Sequence, residues 1–278
     1  MKDIRIAFVY DFDKTLSVDD MQSFGFIQGL NMNIKDFWNK CNDFSKENEA
    51  EGVLTYMYMM IKYSREKGVP ITKEYLNKCG QSVEFFNGVE QWFDRINEYG
   101  KKQGVQIEHY ILSSGLKEII EGTSIAKNFK QIYACSFVYE NGEPIWPALS
   151  LNYTGKTQFL YRINKGIFNA LDPSVNIEMK RSERPIPFSN IIYIGDSETD
   201  MPCMRMLYKY GGTAIGLYQP NTKNEAYLKD LLSRDRINFA LPADYTENSE
   251  LDLVAKDLVQ KIKYQNLLEQ TRTKQKNK

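Results

Sequence analysis

Asp11 and Asp13 stand in the stretch FVYDFDKTLS, directly after an apolar run that ends at Tyr10, with only Phe12 between them. If the chain stays extended, residues two apart point the same way, so two carboxylates converge and repel. Either one of them takes up a proton or a cation sits between them. Hard oxygen ligands that keep some water suit Mg²⁺. The segment IIYIGDSETD repeats the pattern of apolar run, turn and acids, with Asp196 directly after the run and Asp200 four residues on. A calcium loop needs glycine at its sixth position and glutamate at its twelfth. Leu16 and Gln22 stand there in one cluster, Met201 and Leu207 in the other, which removes that reading.

Two further groups complete the chemistry. The run IEHYIL ends in Ser113-Ser114-Gly115, a hydroxyl pair before a glycine that lets backbone approach a ligand closely. Lys156 lies in TGKTQFL, after a predicted hairpin around Asn141-Gly142. A hydroxyl, an ammonium and a cation held by carboxylates together suit a transferring phosphoryl group.

Such residues act together only if the fold brings them together. Apolar runs at 4–10, 107–112, 191–195, 213–217 and 237–241 alternate with helical patterns. That alternation predicts an α/β fold with a parallel sheet covered by helices on both faces. Ligands then bind at the carboxyl ends of the strands, where the acids, the serines and the lysine are expected. Val89, Trp92, Phe93 and Ile96 mark one covering helix, and Leu251, Val254, Leu258 and Ile262 another. Residues 17–86 differ: Phe37, Cys41 and Phe44, then Val53, Met57 and Met60, then Tyr75, Leu76 and Cys79 keep helical spacing with no convincing strand. A helical insertion after the first strand is expected there. Trp38, Tyr56 and Met57 read as its own core, with ring faces available to a substrate cation.

The composition narrows the function. The 278 residues suffice for a core plus a second unit, and 36 basic residues balance 36 acidic ones. With no global field to attract nucleic acid or an anionic membrane, a small partner is expected. No run is long enough to span a bilayer, so a cytoplasmic location is expected. Cys41, Cys79, Cys135 and Cys203 are scattered without a C-x-x-C pair, and read as buried free thiols. His109, the one histidine, sits in a predicted strand, where a structural role is expected. Nothing in the sequence sets the oligomeric state.

DFDKT at 11–15, Ser113, Lys156 and GDSETD at 195–200 resemble, in order and spacing, the four motifs of the haloacid dehalogenase superfamily. The resemblance covers residues 4–217 and implies a Rossmann-like core. It also implies that Asp11 is a nucleophile forming an aspartyl-phosphate, and that Asp13 is a general acid and base. Ser113 and Lys156 would hold phosphoryl oxygens. The side chains of Asp11 and Asp196 and the carbonyl of Asp13 would hold Mg²⁺, with Asp200 in support. Ser114 stands where glycine is usual and is the alternative phosphate ligand; Lys165 is the alternative to Lys156. Asp13 favours phosphomonoester hydrolysis, since an alkoxide leaving group needs a proton.

The insertion is similar to the helical C1-type cap of the phosphoserine-phosphatase-like branch. This predicts a core at 1–16 and 87–267, a cap at 17–86 and a disordered basic tail at 268–278. Only a helix and hairpin fit between Ser113 and Lys156. Thr199, often asparagine in phosphoserine phosphatases, points away from that substrate, and DFDKT is also similar to the first motif of phosphocholine and phosphoethanolamine phosphatases. The implied function is Mg²⁺-dependent hydrolysis of a small phosphomonoester. A phosphotransferase using the same intermediate and a non-catalytic binding protein are the alternatives. MKRSERPIPF at 179–188 reads as a solvated basic loop, with anion steering as its functional alternative.

Overall fold

A computed structural model describes residues 3–276. A seven-stranded sheet in the order β4-β3-β2-β1-β5-β6-β7 organises the chain. β1 (Arg5–Tyr10) is central and pairs in parallel with β2 (Gln106–Leu116) on one side and β5 (Ile191–Gly195) on the other. Ile6 to Tyr10 are fully buried, as a strand covered on both faces requires. Register is the feature that matters for function. Tyr10 lies opposite Ile111 of β2 and Ile194 of β5, so Asp11, Ser113 and Asp196 emerge from adjacent strand ends.

Between β1 and α5 (Val89–Gln103) lie a 3₁₀ turn at Met21–Phe24 and four helices: α1 (Phe26–Gly29), α2 (Ile34–Asn48), α3 (Gly52–Lys67) and α4 (Lys73–Gly80). Side chains start the three longer ones: Asn33 accepts from the amides of Lys35 and Asp36, Glu51 from Val53 and Leu54, and Thr72 from Tyr75. Phe37, Cys41, Met57, Met60, Leu76 and Cys79 are buried between these helices. Ser17 and Phe85 form an antiparallel bridge where the segment leaves and rejoins the core. α4 packs closely on α6 (Lys117–Glu121): a Cβ on Gly80 would collide with the carbonyl of Ile119, and one on Gly122 with that of Asn77.

After α6 comes the hairpin of β3 (Gln131–Glu140) and β4 (Glu143–Leu149). Asn141 and Gly142 both adopt positive φ, which suits the tight turn of a two-residue hairpin. β3 also joins the main sheet in parallel beside β2, a pairing the sequence did not suggest. α7 (Thr157–Lys165), α8 (Met201–Lys209), β6 (Thr213–Tyr218), α9 (Lys223–Ser233), β7 (Phe239–Pro242) and α10 (Glu250–Lys276) complete the fold. No helix among the described residues is long and apolar enough to cross a membrane.

α10 corrects one expectation. The stretch from 268, read as a disordered tail, continues helical through Lys276; the last two residues of that expected tail lie outside the described ones. Adding residues to an established helix avoids the cost of nucleation, and Gln, Arg and Lys are good helix formers. Leu251, Leu258 and Ile262 anchor the earlier turns in the core, and Glu269 pairs with Arg181 at 3.6 Å.

Candidate active site

The chain does not stay extended after Asp11. The carbonyl of Phe12 accepts from the amides of Thr15, Leu16 and Ser17 at 2.9–3.3 Å and from the Ser17 hydroxyl at 3.2 Å, and Lys14 takes a left-handed φ of 57°. This turn separates the two acids. The Asp11 carboxylate joins those of Asp196 and Asp200, with one oxygen of each within 4.8 Å of the others. Asp13 turns toward the insertion and accepts from the amide of Met21 at 2.7 Å. Its other oxygen faces Gly115, where a Cβ would lie 2.9 Å away.

Lys156 comes from the turn before α7 and is fully buried. Its ammonium donates to Asp11 Oδ1 at 3.0 Å and Asp200 Oδ1 at 2.8 Å. Asp200 is held from all sides: Tyr193 donates to Oδ1 at 2.6 Å, and the amides of Asp196 and Ser197 to Oδ2 at 3.2 and 3.3 Å. Its carboxylate therefore fixes the lysine and the Asp196 loop, while Asp11 and Asp196 keep capacity for a cation. Gly195 makes room: a Cβ there would sit 2.5 Å from Asp200 Oδ2.

The site's electrostatics are strained. Burial, then Asp200, pushes Asp11 up to about 6 against the pull of Lys156. Burial pushes Asp196 well above the usual carboxylate range, with Asp200 and Asp11 adding to it. Asp13 is also raised well above that range, by burial, then Asp20 and Asp11. Burial alone would lower Lys156, but Asp11 and Asp200 outweigh it and hold the ammonium above the ordinary lysine value. With all three carboxyls ionised, one ammonium would leave two negative charges uncompensated, a balance that a divalent cation would restore.

Ser113 is fully buried and its Oγ accepts from the amide of Gly115 at 3.0 Å, which leaves the hydroxyl proton free to donate. The Ser114 hydroxyl is sealed without a partner in the protein, while its carbonyl accepts from Tyr56 at 2.7 Å and from the Cys135 thiol at 3.3 Å. Lys165 is elsewhere, its ammonium donating to the carbonyls of Val175 and Ile177 at 2.7 and 2.6 Å. The basic loop is also remote. Arg181 and Arg184 line a cleft with Asp3, Ile4 and Arg5, at the start of β1, whereas the acids follow its end. At about 3.3 Å per residue, that is most of a strand length away, too far to flank the acids.

A family model for haloacid dehalogenase-like hydrolases matches residues 8–205. The chain belongs to that family. An uncharacterised protein of Borreliella burgdorferi is 28% identical over 274 aligned positions, covering 88% of this chain and 93% of that one. Among solved structures, a substrate-bound phosphoserine phosphatase shares the fold with a TM-score of 0.55 and 12% identity, covering 91% of this chain and 97% of its own. A probable phosphoserine phosphatase of Vibrio cholerae gives 0.58 at 9% identity, covering 94% of this chain and 67% of its own. A family hydrolase of Salmonella enterica serovar Typhi gives 0.55 at 15%, covering 90% and 69%.

Two residues not singled out in the sequence contact the candidate site, Tyr193 on Asp200 and Met21 on Asp13, and Tyr56, read there as insertion core with a ring face for a substrate cation, instead bonds the carbonyl of Ser114 through its hydroxyl. Tyr193 had a legible signal, a phenol in the middle of a buried strand, which needs a partner for its hydroxyl. The other two contacts depend on how the insertion folds back, and no local pattern reports that.

Proposed function

We propose that this family member hydrolyses a small phosphomonoester in two steps, with residues 17–86 as a cap over the site. The observation that carries the reading is the fully buried Lys156 bridging Asp11 and Asp200 beside Asp196 at adjacent strand ends. A carboxylate of Asp11 attacks phosphorus and forms an aspartyl-phosphate as the bond to the ester oxygen breaks. Asp13, whose raised pKa keeps a proton available, delivers it to the leaving alkoxide. Water then attacks the phosphorus of the acyl phosphate and loses its proton to Asp13, which releases inorganic phosphate and restores Asp11.

Lys156 and the hydroxyl of Ser113 or Ser114 hold phosphoryl oxygens, and Asp200 keeps the lysine aimed. Asp11 and Asp196, with the Asp13 carbonyl, would hold Mg²⁺, which would neutralise charge on the phosphoryl group. The hydrogen bond from Tyr56 in α3 to the carbonyl of Ser114 sets the cap against the phosphate site, which helps exclude water.

The test is phosphate release from a generic aryl phosphate, with and without Mg²⁺, by the wild type and by Asp11→Asn. Turnover that needs both Mg²⁺ and Asp11 is expected; equal rates in the two proteins would sink the mechanism. Asp13→Ala should slow alkyl phosphates more than aryl ones, because a phenolate leaves with less need of a proton.

A further inference from the structure

Tyr245 lies in the connection between β7 and α10, well past residue 205, where the family match ends. It is fully buried and bonds the chain on both sides of the insertion. Its hydroxyl donates to the carbonyl of Thr15 at 2.8 Å, and its amide to the carbonyl of Asn87 at 2.9 Å. The fit is close: a Cβ on Gly88 would lie 2.5 Å from the carbonyl carbon of Tyr245, and Gly88 takes a left-handed φ of 82°.

Thr15 belongs to the turn that carries Asp13. Its amide bonds inward to the Phe12 carbonyl at 3.3 Å, while its own carbonyl is the group that Tyr245 takes. A buried carbonyl is costly to leave without its donor. Asp13 is therefore held twice, at its carboxylate by the amide of Met21 and along its main chain by the turn that Tyr245 anchors. Asp11 has other supports: its amide donates to the Ile194 carbonyl at 2.9 Å, and its carboxylate accepts from Lys156.

Tyr245 is itself fixed by core helices. The guanidinium of Arg95 in α5 donates to the Tyr245 carbonyl and, through Nε, to Asp252 of α10 at 2.9 Å. The Trp92 ring meets the Tyr245 ring edge-on at 5.3 Å. A packed ring on an anchored backbone gives its hydroxyl one position. That precision matters for an acid, because proton transfer needs hydrogen-bond reach and a displacement of about 1 Å is enough to slow it.

We propose that Tyr245 is a positioning residue for Asp13: its hydroxyl, acting through the Thr15 carbonyl, keeps the acid within reach of the leaving oxygen. This rests on the phosphatase reading, in which Asp13 is the proton donor.

The test compares kcat/KM for an alkyl and an aryl phosphate in the wild type, Asp13→Ala, Tyr245→Phe and Tyr133→Phe. Tyr245→Phe keeps the ring and deletes the hydroxyl. The alkyl-to-aryl ratio should fall about tenfold, in the same direction as in Asp13→Ala. Tyr133→Phe is the control: that buried phenol also donates to a carbonyl, that of Phe168 at 3.0 Å, and its loss should lower the melting temperature without moving the ratio. If Tyr245→Phe does not fold, Arg95→Lys carries the test, since it keeps a cation beside Asp252 and removes the donor on the Tyr245 carbonyl; the ratio should fall there too. An unchanged ratio, whether both rates hold or both fall together, overturns the proposal, as does an equal shift in Tyr133→Phe. If Asp13→Ala leaves the ratio unchanged, the acid role of Asp13 fails instead, and this inference with it. A wild type that hydrolyses neither ester overturns the phosphatase reading itself.

Discussion

Lys156 and Asp11, 145 positions apart in the chain, meet at 3.0 Å in a place that solvent does not reach. The same ammonium holds Asp200, so its removal would strand two carboxylates. Lys156→Met should cost about 3–5 kcal/mol of stability, the range for a buried pair broken from one side. Phosphate release should fall by at least about 10²-fold. Denaturant titration and a phosphate assay read the two effects, and a stable, active variant contradicts both.

Asp196 carries a prediction about metal. Its carboxyl is raised in the fold, so the folded state binds the proton more tightly than the unfolded one. The stability it contributes is present at low pH and is lost as pH rises from the unfolded value of 3.8 toward the raised one. At neutral pH without metal, Asp196→Asn should therefore melt above the wild type, by roughly 2–4 °C for each kcal/mol relieved. Millimolar Mg²⁺ should raise the wild-type melting temperature and leave the variant almost unmoved. An unresponsive wild type refutes the cation site.

His109 should stay neutral. Burial pushes it down to about 3 from 6.5, and it bonds Tyr10 at 3.0 Å and Asn97 at 3.1 Å. The unfolded chain takes up a proton near 6.5 that the fold refuses until about 3, so stability is lost as pH falls through that window. The slope from this group alone is about 1.4 kcal/mol per pH unit. As the one histidine, its ring resonances are unambiguous in NMR. They should be flat between about pH 8 and 4, and a midpoint near 6.5 contradicts the buried network.

Gly195→Ala should separate activity from folding. The added methyl would sit 2.5 Å from Asp200 Oδ2, displacing the carboxylate that aims Lys156. Overpacking of this kind costs about 1–3 kcal/mol, which a domain of this size survives. Phosphate release should fall by about 10²-fold with the circular dichroism spectrum retained. Near wild-type turnover would show that the position of Asp200 is not needed.

Much of the sheet was legible because its central strands are buried on both faces and read as continuous apolar runs: β5 lies where IIYIG places it. β2 runs to Leu116, past the predicted end at 112, because the serine pair continues the strand instead of ending it. β7 begins two residues later than its apolar run, after Asn238 has bonded Ala214 through its amide. Asp11, Asp196 and Asp200 could be picked out because strand-end placement is local in sequence, and Lys156 because it precedes a helix after the hairpin. The separation of Asp13 from Asp11 could not, since it depends on one carbonyl collecting three amides in a turn. Nor could the choice between Ser113 and Ser114, which hinges on hydrogen-bond partners from Tyr56, Cys135 and Gly115.

The bridge between Ser17 and Phe85 is backed by two main-chain bonds, Val18 to Glu84 and Phe86 to Leu16, each 3.0 Å. Where the excursion departs is also where it returns. To the sheet, the sixty-odd residues in between are a single graft on one stem, and lengthening such a graft is cheap: each doubling adds only about 0.6 kcal/mol of closure entropy. A lineage can therefore trade one graft for another without disturbing the register that gathers Asp11, Lys156 and Asp196. On the proposed reading, in which the insertion caps the site, the hydrolytic centre is a socket and its selectivity a replaceable fitting.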